Sequence, residues 1–233
     1  MPAAREILGR AVTLLLDQSN VRWPLAELND WLNEGVRAIV LAKPSASPST
    51  TNLSLENGTL QTLPLTVGGG TTMLLLAINR NIKSVDTNVT PGRAVTLVQR
   101  SVMDDQDPDW HDTSVQGTHK RVSHYIYDEA NPLQFSVYPP NNGEGLVEAV
   151  VSVLPAPSVP TGPANVLANY NSQVGLPEPY SVPLLDYVMY RAYMKDDITG
   201  QPARAPAHYQ QFAAAVGIKI QVERSSTPNA RPL

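Results

Sequence analysis

Cysteine is absent from the 233 residues. That removes disulfide frameworks, thiolate metal sites and cysteine nucleophiles, and leaves a chain compatible with assembly in a reducing cytoplasm. Charge is sparse too: 16% of residues are Asp, Glu, Lys or Arg, against roughly 25% in ordinary soluble domains, so more of the surface is free to meet neighbours. Lys and Arg nowhere cluster, and the formal net charge is −4. The electrostatic footprint needed to grip phosphates is missing, which argues against specific DNA binding. The longest uninterrupted apolar run, MLLLAI at 73–78, falls far short of the ~20 residues that cross a bilayer, so a soluble protein with no membrane partner is expected. AVTLLL near the N-terminus runs straight into Asp17 without a small-residue cleavage pattern; it reads as part of an amphipathic helix and not as a signal peptide.

Proline, by contrast, is abundant: 21 residues, near twice its usual share of about 5%. Its placement divides the chain. Over 3–17, Ile7, Leu8, Ala11, Val12, Leu15 and Leu16 recur at three- and four-residue spacing, the mark of an amphipathic helix. Pro24 suits the first turn of a second helix, whose stripe is Leu25, Leu28, Trp31, Leu32, Val36, Ile39 and Val40, and Pro44 stops it. Residues 1–44 are thus expected as a helical hairpin. From 45 to 154 the texture changes to short apolar runs punctuated by NG, GGG, PG, PP and NNG, which predict strands at 51–55, 59–63, 72–80, 82–85, 94–98, 124–127, 134–138 and 146–154. Alternation in several of them favours a sandwich or barrel over a parallel sheet. Seven prolines between Pro155 and Pro183 exclude a sheet interior and make poor helix, so 155–182 is expected as an extended connector.

Helix returns at about 182–197, with Leu184, Leu185, Val188, Met189, Ala192 and Tyr193 on one face. It returns again at about 203–217, with His208, Phe212, Ala215 and Val216, closed by Gly217 as a cap. In IKIQVERSSTPNARPL, Ile218, Ile220 and Val222 alternate with Lys219, Gln221 and Glu223, the period of a strand. The expected architecture is α+β: N- and C-terminal helices (1–44 and 183–217) in one bundle, a central antiparallel β-sandwich or barrel insert, and an extended tail at 218–233. The tail strand would pair with the protein's own sheet or with a neighbour's edge.

Chemistry is weakly signalled. MDDQDPDWHD at 103–112 puts carboxylates at 105, 107 and 109, but it lacks the glycine and the glutamate of a calcium loop and reads as a turn anchored by Trp110. The spacing of His111, His119 and His124 fits no zinc motif. His208, on an apolar face, reads as a hydrogen-bonded core histidine, and GGGTT lacks the lysine and helix of a phosphate loop. No metal, cofactor or catalytic residue is expected. Glu27, Asp30, Glu34 and the carboxylates of KDD at 195–197 read as solvated faces or partners for Arg191 and Arg37. The helix LLDYVMYRAYMKDD at 184–197 carries Tyr187, Tyr190, Tyr193 and Arg191 on its flanks, residue types suited to packing between helices and between subunits. With Trp23 and Arg37 they form the expected subunit interface.

The blocks WPLAELNDWLNEGVRAIVLAKPSA, NGTLQTLPL, INRN, VTLVQRSVMDDQDPDWH, YIYDEANPLQFSVYPP, VEAVVSVLPAP, LLDYVMYRAYMKDD and HYQQFAAAVG, in that order over nearly the whole chain, resemble the phage head-to-tail adaptor (connector) proteins, the group that includes tail tubular protein A of short-tailed phages. The resemblance implies a non-enzymatic virion protein. It would form a closed ring, typically twelve-fold, at the portal vertex, assembled in the host cytoplasm. Its partners would be its own copies, the portal, a tail or nozzle protein, and genomic DNA that passes through the lumen without sequence-specific contact. A C-terminal extension touching the portal, here Ile218, Lys219, Ile220, Gln221, Val222 and Arg224, is part of that expectation. A rival reading is a carbohydrate- or receptor-binding β module of a phage tail using Trp110, Tyr125, Tyr127 and Tyr138 as stacking platforms. A third is a hydrolase built around His111 and its neighbouring carboxylates.

Overall fold

The computed structural model describes residues 1–84, 90–195 and 204–226, with the backbone alone at 84 and 218–226. The chain divides into two units: Met1–Ser47 with Pro155–Leu233, and Pro48–Leu154. The α+β class read from the sequence is the one observed.

In the first unit, α1 (Ala4–Leu15) buries Ile7, Leu8, Ala11 and Leu15. Leu16, expected on that face, is instead 89% exposed, because the helix ends one residue earlier and Leu16 takes left-handed dihedrals at φ 57°. The turn that follows is held by Asp17, whose carboxylate accepts from the backbone N–H groups of Val21, Arg22 and Trp23 at 3.2, 2.9 and 3.0 Å. Those bonds hold its pKa below the usual carboxylate value, the Trp23 N–H contributing most. Pro24 then opens α2 (Leu25–Ala42), which buries all seven residues of its predicted stripe. The helix α5 (Ser181–Lys195) packs on α1, α2 and α6 (Arg204–Ser226), inserting Leu184, Leu185, Val188, Met189 and Ala192. Gly35 lets α2 and α5 approach closely: a Cβ there would stand 3.1 Å from Tyr187 Cδ1 and 3.2 Å from Leu184 Cδ2.

Two expectations for this unit are corrected. Residues 155–182, read as an extended connector, instead carry two 3-10 turns, Leu167–Asn169 and Glu178–Tyr180, and the start of α5 at Ser181, and bury Tyr170, Val174, Leu176 and Tyr180. Proline denies this segment a sheet, so its polar groups are satisfied elsewhere. Ser172 O and Tyr170 O accept from Ala4 and Arg5 at the start of α1, where a helix has N–H groups to spare. The strand read at Ile218–Val222 is helix, and Gly217 lies inside α6 instead of capping it. Once a helix is nucleated, each added residue gains a hydrogen bond at little further entropic cost. The intervening Lys219, Gln221, Glu223 and Arg224 are good helix formers, so propagation overrides the two-residue alternation. Residues 227–233 and Asp196 and Asp197 of the KDD run lie outside the described residues.

The second unit contains two sheets. Its strands are β1 (Pro48–Ser54), β2 (Asn57–Thr62), β3 (Thr66–Val67), β4 (Gly70–Ser84), β5 (Thr90–Ala94), β6 (Thr96–Leu97), β7 (His124–Tyr127), β8 (Gln134–Asn142) and β9 (Leu146–Leu154); one sheet orders them β1-β9-β4-β3 with β5 also on β4, the other β2-β8-β7-β6. Pairing is antiparallel except for the short parallel contact of β6 (Thr96–Leu97) with β7 (His124–Tyr127). The runs predicted at 72–80 and 82–85 are one long strand, β4 (Gly70–Ser84), kinked by three register shifts against β9 (Leu146–Leu154). The alternation that marks β9 in sequence becomes its burial pattern, with Val147, Ala149, Val151 and Val153 inward. They meet Tyr125 of β7 and Phe135 and Val137 of β8 (Gln134–Asn142) in the sandwich core. Thr72 Oγ1 is buried without a partner, but the buried amide of β4 is fully used. Asn81, 3% exposed, donates to Arg93 O and Val122 O and accepts from Val122 N. Arg80 and Glu148, opposite one another across β4 and β9, form a 2.7 Å ion pair that keeps the Glu148 carboxyl below its usual range.

Candidate functional site

The face of α5 that the sequence marks as unusual meets α6. Tyr187 packs edge-on to Phe212 with centroids 5.1 Å apart, Tyr190 lies 5.0 Å from Tyr209, and Tyr193 stacks on His208 at 5.6 Å. Numbers rise along α5 as they fall along α6, so the three rungs form an antiparallel aromatic ladder. Tyr187, Tyr190 and Tyr193 are half-buried and Tyr209 is exposed, which leaves ring edges outside. Such edge-to-face and offset pairs contribute about 0.5–1.5 kcal/mol beyond the area they bury. Burial pushes the Tyr187 phenol up, with the Glu34 charge adding to it and Arg191 opposing. His208 Nδ1 lies 2.9 Å from Asp186 Oδ1, the hydrogen-bonded histidine that the sequence suggested, although it is half-exposed.

Charges rim the ladder. Arg191 lies 3.4 Å from Glu34 of α2, and Lys195 bonds to Glu27 while donating to Arg22 O at 3.1 Å. Of the partnerships read for the carboxylates of α2, Glu34 with Arg191 is observed, whereas Glu27 pairs with Lys195. Trp23 is buried at 7% exposure, and its Nε1 donates to Ala192 O at 3.2 Å, so most of its surface is used inside the unit. Arg37 is exposed and lines a groove of about 520 Å³ running along α2. Asn29, Asp30, Asn33 and Glu34 form one wall of this groove and Pro157–Pro160 the other. Two amides hold the walls together: Asn29 and Asn33 both donate to Ser158 O, and Asn33 Oδ1 accepts from Ser158 N at 2.8 Å. At the groove floor, Tyr170 is fully buried and donates to Ala164 O. Burial raises its pKa and the Asp30 charge adds to the shift.

The groove was missed in sequence because its second wall is the proline-rich segment, whose Ser158 is 125 residues from its partner Asn33 in α2. The ladder carried a usable signal: tyrosines at i, i+3 and i+6 on α5 answer aromatic residues at 208, 209 and 212. Of the expected docking residues, Ile218, Lys219, Ile220, Gln221, Val222 and Arg224 share the helical end of α6.

The β unit presents a different picture for the rival readings. Trp110 is 1% exposed and Tyr125 6% exposed, so neither offers a face on which a sugar could stack. Trp110 Nε1 donates to Asp104 Oδ1 at 2.8 Å, beneath α3 (Arg100–Gln106) and against Met103 and Ile126; it is the local anchor that the sequence suggested. Tyr127 donates to Pro132 O and Tyr138 to Asp107. The His111 ring lies tilted against Trp110 with centroids 3.5 Å apart, and Asp112 caps α4 (Thr113–Gln116) by accepting from Ser114. His124 instead contacts Thr96 Oγ1 at 2.6 Å. Among the described residues no group of three or more His, Asp or Glu is arranged to hold a metal ion, and no helix is long and apolar enough to cross a membrane.

Residues 2–232 match the family model described as SU10 adaptor protein. The chain belongs to that family. No curated protein matches it. Membership makes the adaptor a phage structural protein of the head-tail junction, with portal and tail proteins as the partners it implies and a structural rather than catalytic role.

Proposed function

We propose that the adaptor closes into a twelve-fold ring between portal and tail, in the manner of the tail tubular protein A group, assembled in the host cytoplasm and threaded by the genome. The observation that carries this reading is the family match over 2–232; the chemistry of the chain supports it. Ring contacts are heterologous, so each subunit needs two different flanks. The outer edges of Tyr187, Tyr190 and Tyr193, with Arg191 and Arg37, serve as one of them, while the buried Trp23 supports that face from within. A net charge of −4 without basic clusters avoids counterion-release affinity, so duplex DNA slides through the lumen and is not held. The end of α6, with Ile218, Lys219, Ile220, Gln221, Val222 and Arg224, is the portal-facing segment. It acts as a helix, and repetition around the ring turns weak single contacts into a durable joint.

Negative-stain images of the adaptor mixed with its portal test the proposal. Closed rings stacked coaxially on the portal are expected, whereas single subunits at every mixing ratio would end it. A chain lacking Ile218–Leu233 is expected to fold yet fail to co-sediment with portal; full stoichiometric co-sedimentation would remove the docking role from this segment.

A further inference from the structure

The groove on α2 contains an acceptor that the fold leaves unused. Asn29 is 4% exposed and its Nδ2 is committed to Ser158 O at 2.8 Å, while its Oδ1 is buried with no hydrogen-bond partner. Leaving such a group unmatched costs about 1–3 kcal/mol. Next to it in the same wall stands Asp30, which has no ion-pair partner among the described residues. Glu34 is already paired with Arg191, and Arg37 marks the far end of the groove. The near end therefore offers an exposed carboxylate and, at the residue before it, a buried amide oxygen without a partner, acceptors of the kind a guanidinium takes.

The groove is elongated. Its α2 wall runs from Ala26 to Arg37, about 16 Å at 1.5 Å per residue, which matches about five residues of extended chain. Beyond α6 the chain has seven more residues, TPNARPL. They carry one arginine, Arg231, and two prolines, which bring no N–H donor into the groove and favour an extended backbone. α6 has 23 residues and α5 has 15, so α6 is longer than α5 by about 12 Å. The aromatic ladder uses only its first half.

We infer that the groove between α2 and Pro157–Pro160 is a receptor for the C-terminal segment, residues 227–233, of a second copy of this chain, with the Arg231 guanidinium on Asp30 and Asn29 Oδ1. The inference rests on the ring reading for its biological setting, since a latch from copy to copy needs neighbouring copies. It gives Arg231 a role separate from the portal-facing end of α6.

The test is a titration of the full-length adaptor into a fluorescein-labelled peptide of residues 227–233, read by polarisation at protein concentrations where the adaptor is monomeric. Saturable binding is expected, weakened about tenfold or more when the peptide carries Arg231→Ala, the loss typical of a charge-assisted pair. A similar loss is expected with the Asp30→Asn protein. Asp30 is exposed, so this variant keeps the fold, whereas Asn29 is buried and its substitution would disturb the packing. Equal binding of the two peptides, indifference to Asp30→Asn, or no saturation would overturn the inference. So would a truncation of 227–233 that binds the peptide far more tightly than the full-length monomer, because that places each tail in its own groove. Rings with no peptide binding sink the latch alone; peptide binding with no rings sinks the ring reading alone.

Discussion

Substituting alanine for glycine inside the helices of the first unit has opposite consequences at two positions, and the pair measures how tightly α2, α5 and α6 are locked. At either site alanine gains up to about 1 kcal/mol of helix propensity. At Gly217 a new methyl meets nothing within 4 Å, so Gly217→Ala is expected to stabilise by about 0.5–1 kcal/mol. At Gly35 the methyl stands 3.1 Å from Tyr187 Cδ1 and 3.2 Å from Leu184 Cδ2. Leu184 is fully buried and Tyr187 is wedged between Phe212 and Tyr190, so neither can retreat easily. Overpacking of this kind costs about 1–3 kcal/mol. After the propensity gain, Gly35→Ala should destabilise by about 1 kcal/mol. Urea unfolding followed by far-UV circular dichroism reads both changes as shifts in midpoint. A third variant closes the argument: Phe212→Leu gives Tyr187 room, so the penalty of Gly35→Ala should shrink in that background. A Gly35→Ala protein as stable as Gly217→Ala would refute the claim that the ladder pins Tyr187.

Other perturbations separate the two units and the two kinds of role. Trp110→Ala removes a fully buried ring from the small cluster beneath α3 and should cost about 3–5 kcal/mol, read as a lowered melting transition. Asp17→Asn tests the loop before α2. Because Asp17 is held below its ordinary value of 3.8, its contribution is fully present above that value and is lost as pH falls through the lower folded pKa. Melting temperatures of parent and variant should therefore differ above about pH 4 and converge in stronger acid; a constant difference would be contrary to the assignment. Arg191→Ala breaks a pair whose members are each 37% exposed, worth under about 1 kcal/mol. The isolated subunit should melt almost unchanged, while ring formation, on the proposed reading, should fall sharply.

Long amphipathic periods were legible in the chain. The α2 stripe from Leu25 to Val40, the α5 core from Leu184 to Ala192 and the alternation of β9 follow from hydrophobic spacing alone, because each buries one continuous face. Where two signals compete, local pattern loses. Ile218–Val222 alternates like a strand, yet it continues a helix already nucleated twelve or more residues earlier. Residues 100–106, polar and short, form α3 only because Met103 has Trp110 and Ile126 to cover.

By itself the sequence determined the α+β class, the helical ends around a β middle, the lack of thiol chemistry and of a DNA-gripping surface, and the order of blocks that marks an adaptor. All of these depend on composition or on contacts between residues a few positions apart. Only tertiary structure decided that the proline-rich stretch is a wall and not a linker, that the tyrosines of α5 answer α6, and that Asn29 is left with an unmatched oxygen in a groove. Those facts arise from pairs of residues distant along the chain, such as Asn33 with Ser158, whose meeting depends on the packing of the whole unit rather than on any local preference.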